Sequence, residues 1–227
     1  MPTGVGVDTL LVYLSPYEAT VRSEGVHKLS RKGNSLPMRV ILDRGHGHKA
    51  DGAPFDPGVT HGKAREVDLA AGYIQHAVET LRAAGHEVFV LDTGTYDARH
   101  AQAIALAAES PEVSSLYVQC HVNGGRGTYA VVEHDARSDR GRAAATCLVE
   151  ALKALPEISK VRRVELKADD RGWACIDDIH ASKTMCGVLY EPFFIDAPAH
   201  AALLSAEGLA RVGEALAAGI ERYSREP

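Results

Sequence analysis

The chain has few of the features that mark membrane proteins, nucleic-acid-binding proteins or cysteine-based metal sites. Its four cysteines, at positions 120, 147, 175 and 186, form no Cys-x-x-Cys pair, which argues against a zinc site built from cysteine. Nothing in their spacing requires a disulfide, as expected for folding in a reducing cytoplasm. No apolar stretch approaches the roughly 20 residues of a membrane helix. The formal net charge of −5 argues against nucleic acid or an anionic membrane as the main partner.

The N-terminal residues also lack a secretory signal pattern, because no basic segment precedes the apolar run 10–14 and that run is too short. We find no internal repeat and no low-complexity segment. A chain of 227 residues is long enough for one α/β domain with a sizeable core. Residues 1–36 are interpreted as an N-terminal extension or edge strand, and residues 37–227 as a single domain.

Alternating strand and helix patterns define the fold class from Met38 onward. Short apolar runs rich in Val, Leu, Ile and Tyr predict buried strands at 40–43, 88–91, 116–120, 129–134 and 187–191. Helical spacing predicts helices at 66–84, 97–109, 139–154 and 200–223, the first ending at Gly85. This pattern predicts an α/β fold with a mostly parallel twisted sheet flanked by helices. Residues 162–180 are the least regular segment and are expected to form a loop over the site described next.

Three of the predicted strands lead into a His or Glu side chain. His46 follows the first strand in a glycine-rich turn, His121 follows the third, and Glu191 ends the last. Ligands bind beyond the carboxyl ends of strands in open α/β sheets, so these side chains meet if the strands are parallel neighbours. With Glu66, which opens the first helix, they match the inventory of a catalytic zinc hydrolase. His48 is an alternative ligand to His46.

Each of these residues also has a structural interpretation. Glu66 can simply complement the positive end of its helix dipole. The sequence Asp56-Pro57-Gly58 can simply form a β-turn. Asn123, in His-x-Asn-Gly-Gly, either orients substrate or caps the turn, and we take it as a candidate substrate-binding residue. Glu191 stands in apolar company, where a buried carboxylate needs a cationic partner or a raised pKa, and a general base needs such tuning.

In this order, the motifs resemble the zinc-dependent N-acetylmuramoyl-L-alanine amidases of the amidase 3 type. That family shows Asp-x-Gly-His-Gly after a strand, then Asp-Pro-Gly, a Glu opening a helix, an Arg in the next helix, His-x-Asn after a strand, and a late Glu followed by Phe. The matching positions are 43–47, 56–58, Glu66, Arg99, 121–123, and Glu191 with Phe193. The resemblance spans about residues 38–222.

The resemblance implies that His46, Glu66 and His121 bind Zn²⁺ and that Glu191 is the catalytic carboxylate. It implies hydrolysis of the amide bond between N-acetylmuramic acid and L-alanine in peptidoglycan, with no nucleic-acid partner and no membrane insertion. The absence of a signal pattern favours an endolysin of a phage or prophage, made in the cytoplasm and acting on the cell wall after release.

Three other functions remain open. A zinc carboxypeptidase also uses His, Glu and His with a late Glu, although its first two ligands normally stand in His-x-x-Glu, which is absent at His46. A non-catalytic cell-wall-binding module could keep the fold, but it would not need all four chemical positions filled. The third is an amidohydrolase acting on another polyamide.

Overall fold

The computed structural model describes residues 36–48 and 53–226. The predicted N-terminal extension, 1–36, lies outside the described residues except for Leu36. Within the described residues, no helix combines the length and the apolar character needed to cross a membrane.

The elements alternate between strand and helix along most of the chain. In chain order they are β1 (Arg39–His48), β2 (Thr60–His61), β3 (Ala64–Arg65), α1 (Glu66–Ala83), β4 (Glu87–Thr93), α2 (Tyr96–Ala108), β5 (Ser115–Cys120), β6 (Tyr129–Asp135), α3 (Asp139–Leu152), β7 (Lys160–Leu166), a 3₁₀ turn (Trp173–Cys175), α4 (Asp177–Ser182), β8 (Cys186–Glu191), a 3₁₀ helix (Pro198–Leu204) and α5 (Ala206–Tyr223). Gly85 follows α1 with a φ of 94°, as expected of a glycine that ends a helix.

Among the residues that the structure describes, six strands form one sheet in the order β4-β1-β5-β8-β6-β7. The first four run parallel, whereas β6 pairs antiparallel with β8 and parallel with β7. The predicted α/β fold with a mostly parallel sheet is confirmed. β1, β5 and β8 are adjacent, so the three strand ends singled out in the sequence meet at one edge.

Helices cover both faces of the sheet. One face packs against α1, α3 and α5 in a large apolar cluster that includes Leu42, Leu81, Leu148 and Leu216. The other face packs against α2 and α4 through a smaller cluster around Ile41. Fully burying a leucine side chain contributes about 1.5–3 kcal/mol, so these two layers fix the sheet on which the strand ends stand.

Two sequence predictions need correction. The segment predicted as a loop at 162–180 overlaps β7 and α4. β7 was missed because it is an exposed edge strand with charged residues. The single helix predicted at 200–223 is interrupted at Ser205. The Ser205 hydroxyl accepts a hydrogen bond from the Gly208 amide at 3.1 Å, which caps a new helix there.

Candidate metal centre

The candidate centre lies at the carboxyl edge of β1 and β5 and at the start of α1. His46 stands near the end of β1, His121 directly follows β5, and Glu66 is the first residue of α1. One potential ligand atom from each of these residues lies within 4.8 Å of the other two. The structure therefore brings together the three residues predicted as metal ligands.

The Glu66 carboxylate is shared between the two imidazoles. Its Oε1 lies 2.8 Å from His121 Nδ1, and its Oε2 lies 3.2 Å from His46 Nε2. Backbone amides hold the same two oxygens, since Val122 N donates to Oε1 at 2.9 Å and Val59 N donates to Oε2 at 2.8 Å. The carboxylate is therefore fixed by the chain on both sides, with 2% of the residue exposed.

These contacts suit a divalent cation such as Zn²⁺. Ligand bonds of about 2.0–2.1 Å to nitrogen and oxygen place neighbouring atoms of a tetrahedral site about 3.3 Å apart. The observed separations of 3.2 and 2.8 Å around Glu66 are close to that value. Two imidazoles and one carboxylate are also the donor set of known catalytic zinc sites, in which a fourth position stays open.

Asp56 orients one of the two imidazoles. Its Oδ2 lies 3.0 Å from His46 Nδ1, which leaves His46 Nε2 facing Glu66. A carboxylate on the outer nitrogen of a ligating histidine fixes its ring orientation and its tautomer. Asp56 Oδ1 also accepts from Gly58 N at 3.0 Å, so the side chain of Asp56, rather than the predicted β-turn, closes the chain over Pro57. The turn interpretation alone missed this orienting contact, which the motif order around Asp-Pro-Gly could have indicated.

The position of the His121 imidazole depends on a glycine, Gly45. A Cβ atom on Gly45 would lie 2.3 Å from His121 Cε1 and 2.4 Å from its Nε2, so only glycine admits the ring in this position. The Tyr73 hydroxyl donates to the His121 carbonyl at 3.0 Å. His121 Nδ1 is thereby directed to Glu66. The alternative ligand His48 is exposed and packs on the Phe55 ring, outside the cluster.

The charges within the cluster reinforce one another. Burial by itself would raise the pKa of Glu66, but hydrogen bonds from His121 and His46 outweigh burial and hold the pKa well below its usual range. Burial would lower the pKa of His46, but Glu66 and Asp56 outweigh it and raise the pKa. The pocket is thus built to hold positive charge next to an ionised Glu66.

Glu191 stands at the end of β8 but is not one of the three clustered residues. Burial is the main cause that raises its pKa; the charge of Glu66 adds to this, while His121 acts in the opposite direction. The Asn123 side-chain amide donates to Glu191 Oε2, and Asn123 Oδ1 accepts from Gly124 N at 2.9 Å. Asn123 is therefore both a turn residue and a partner of Glu191.

A buried ion pair supports the β1 strand just before His46. Asp43 Oδ1 and Arg99 Nε are 2.9 Å apart, although they are not aligned as a hydrogen bond. Asp43 is 0% and Arg99 1% exposed, and the Tyr117 hydroxyl donates to Asp43 Oδ2 at 2.5 Å. Arg99 of α2 therefore pairs with Asp43 of β1, three residues before His46, and is not part of the metal cluster.

This fold and cluster define a class of α/β protein with a candidate His-Glu-His metal site at the carboxyl edge of its sheet. The family model described as N-acetylmuramoyl-L-alanine amidase matches residues 40–222. The chain belongs to the N-acetylmuramoyl-L-alanine amidase family, Amidase_3.

Solved structures share this fold. The CwlD amidase from Clostridioides difficile, solved in complex with the GerS lipoprotein, is 19% identical with a TM-score of 0.60, covering 82% of this chain and 98% of that chain. The amidase AmiC2 of Nostoc punctiforme is 20% identical with a TM-score of 0.61, covering 85% and 100%. The catalytic domain of the CD27L endolysin, targeting Clostridia difficile, is 22% identical with a TM-score of 0.55, covering 79% and 96%. The search of curated proteins found no match.

Proposed function

We propose that this protein is a zinc-dependent N-acetylmuramoyl-L-alanine amidase that hydrolyses the amide bond between N-acetylmuramic acid and L-alanine in peptidoglycan. The observation that carries the proposal is the His46–Glu66–His121 cluster, with the partly buried carboxylate of Glu191 at the end of the strand next to β5. Membership of the amidase family supports the choice of substrate.

Each residue has a distinct role in this proposal. His46, Glu66 and His121 would hold the metal, and Asp56 would keep His46 in the ligating tautomer. A bound Zn²⁺ supplies a Lewis acid and lowers the pKa of a coordinated water towards about 7.

Glu191 moves the proton. Its raised pKa suits a group that accepts a proton from the attacking water and then returns it to the nitrogen of the departing alanine. The Asn123 side-chain amide donates to one oxygen of Glu191 and so restricts the orientation of the carboxylate. A direct contact between Asn123 and substrate stays a prediction.

Two variants test the roles. Glu191→Gln should keep stoichiometric zinc and lose at least about 100-fold in hydrolysis, as expected for loss of a general acid–base group. His121→Ala should lose both zinc and hydrolysis. Glu165→Gln, on the exposed edge strand β7, is the matched control and should behave like the wild type. Wild-type hydrolysis by Glu191→Gln would remove the catalytic role.

The products separate the proposal from the other functions. Mass spectrometry of digested muropeptides should show stem peptides with a new L-alanine amino terminus and glycans with a free lactyl carboxylate. Release of single amino acids from the end of the stem would instead indicate a carboxypeptidase. Binding without any product would indicate a cell-wall-binding module, and cleavage of a different polyamide would indicate another amidohydrolase.

We further propose that the activity serves lysis of a bacterial cell. The relative described as an endolysin catalytic domain shows that this fold is used in a lysin, whereas other relatives of the same fold are named only as amidases. Purified protein added to permeabilised cells should lower the turbidity of the suspension, and the Glu191→Gln variant should not. Unchanged turbidity while isolated peptidoglycan is cleaved would refute the lytic role but not the amidase activity.

A further inference from the structure

A second acidic side chain, Glu133, lies beside Glu191. The antiparallel register of β6 and β8 pairs Glu133 with Leu189 and Val131 with Glu191. Side chains two residues apart on a strand share a face, so Glu133 and Glu191 project from the same face as a diagonal pair. Such pairs are about 7–8 Å apart, and their side chains can approach more closely.

Neighbouring backbone covers part of the Glu133 carboxyl group. It is partly buried, and a Cβ atom on Gly172 would lie 3.0 Å from Glu133 Oε2 and 3.1 Å from a Leu189 methyl group. Gly172 has a φ of 90°, so its backbone passes closely over the carboxylate in a conformation that favours glycine. Within residues 36–48 and 53–226, the Glu133 carboxyl group makes no hydrogen bond and no ion pair shorter than 4.0 Å.

The charged groups that face Glu133 shift its pKa in opposite directions. Burial is the main cause that raises the pKa of Glu133 to about 7; the charges of Glu191 and Asp170 add to this, and Arg171 acts against it. The neighbouring Cys175 thiol is neutral in this range, because burial raises its pKa to about 11. Glu133 thus keeps its proton at pH values where an ordinary glutamate is ionised.

We propose that Glu133 is a positioning residue of the reaction centre: it holds one proton while Glu191 is ionised, so that the two carboxyl groups carry a single negative charge. This inference rests on the proposed function, because it requires Glu191 to move a proton. Glu191 accepts a proton from the attacking water as the C–O bond forms, and returns it to the amine nitrogen as the C–N bond breaks. Glu133 keeps its own proton throughout.

A second negative charge would impair this cycle. An ionised Glu133 would make Glu191 a stronger base, which would hold more tightly the proton that must go to the departing nitrogen. Two carboxyl groups whose environments separate their proton affinities are the usual arrangement for dividing acid and base roles. Glu133 acts in this way on the charge of Glu191 and does not itself contact the substrate.

The first experiment measures the coupling without relying on activity. In the full chain with ¹³C-labelled glutamate carboxyl groups, Glu133, assigned by its loss in Glu133→Gln, should titrate with a midpoint near 7. In Glu191→Gln that midpoint should fall by about 1–1.7 pH units, from the interaction of two charges about 7 Å apart at an effective dielectric constant of about 20. Glu165→Gln should leave it unchanged. An unchanged midpoint in Glu191→Gln would overturn the proposal.

The second experiment measures kcat/KM against pH with peptidoglycan as substrate. Gln mimics the protonated form, so the ratio of Glu133→Gln to wild type should be about 1 at pH 6 and should rise about 5- to 10-fold by pH 8.5. Glu133→Asp, which retains a titrating carboxyl group, should restore a pH dependence close to that of the wild type. A purely structural role would lower the ratio equally at every pH, and this result would refute the inference.

The two experiments separate failure of the inference from failure of the function. Coupled titration in a protein that cleaves no muramoyl amide would remove the proposed function. Full amidase activity with a ratio that does not change with pH would remove the role of Glu133 and leave the function in place.

Discussion

Replacing Asp43 with asparagine tests whether the buried ion pair supports the strand that carries His46. Asparagine has nearly the shape of the native side chain, so Asp43→Asn removes charge and little packing. Arg99 would remain charged and 1% exposed, next to the Gly94 carbonyl, which accepts its hydrogen bond at 3.1 Å, and the Tyr96 ring at 4.9 Å. The Tyr117 hydroxyl could still donate to the side-chain oxygen of the new amide.

The expected loss is large because the remaining charge stays buried. Breaking a buried pair by removing one partner costs about 3–5 kcal/mol of unfolding free energy. Two unit charges 2.9 Å apart interact by about 6 kcal/mol at an effective dielectric constant of 20, which lies slightly above that range because it leaves out the cost of desolvating the pair. For a domain of this size each kcal/mol lowers Tm by about 2–4 °C, so Asp43→Asn should melt about 6–20 °C lower.

Urea and thermal unfolding of the chelator-treated protein provide the assay, because chelation removes the contribution of metal binding to stability. Asp43→Asn, Arg99→Met and the double variant complete a double-mutant cycle. The loss of unfolding free energy in the double variant should be at least about 2 kcal/mol smaller than the sum of the two single losses, since the double variant leaves no unpaired charge. A loss below about 1 kcal/mol in Asp43→Asn, or losses that simply add, would refute the reasoning.

Three further changes follow from the site. Asp56→Ala should weaken zinc binding about 10- to 100-fold, measured by competition with a chelator, because the His46 ring loses its orienting partner; unaltered affinity would contradict that role. Gly45→Ala should abolish zinc binding while the chain stays folded by circular dichroism, since the new methyl group overlaps the His121 ring; wild-type zinc content would show that the ring can move. Glu133→Gln should gain stability relative to the wild type as pH rises from about 4.5 to 7, because the raised pKa of Glu133 makes the folded state bind the proton more tightly; parallel unfolding curves from pH 4 to 8 would contradict this.

In the six-stranded sheet, the sequence predicted the strands that contain an apolar run, including the edge strand β4, and missed β7. β1, β5 and β8 are continuous apolar runs, a pattern typical of parallel central strands. β7 pairs on one side only and carries Lys160, Arg162 and Arg163, so its composition resembles that of a loop. The antiparallel direction of β6 depends on the path of the chain after residue 121 and is not encoded in local periodicity.

The residues of the candidate site were predicted more completely than their supporting contacts. His46, Glu66 and His121 could be picked out because their residue types are unusual at strand ends and match an ordered set of motifs. The contact between Asp56 and His46 depends on the backbone pairing of Asp56 with Gly47, which the Asp-Pro-Gly motif does not specify. Glu133 lay inside a segment predicted as an ordinary strand, and only the register with β8 places it beside Glu191.

The adjacency of β1 and β5 also has a consequence for folding kinetics. Asp43 pairs with Gln119 across these strands, so the two imidazoles come together only after the chain has closed a long loop containing α1, β4 and α2. Such non-local pairing is slow to form, and no short segment can assemble the site in advance. Metal should therefore leave the refolding rate nearly unchanged and slow unfolding instead, as expected for interactions absent from the transition state. The ion would bind after the sheet has formed and would then stabilise the folded state.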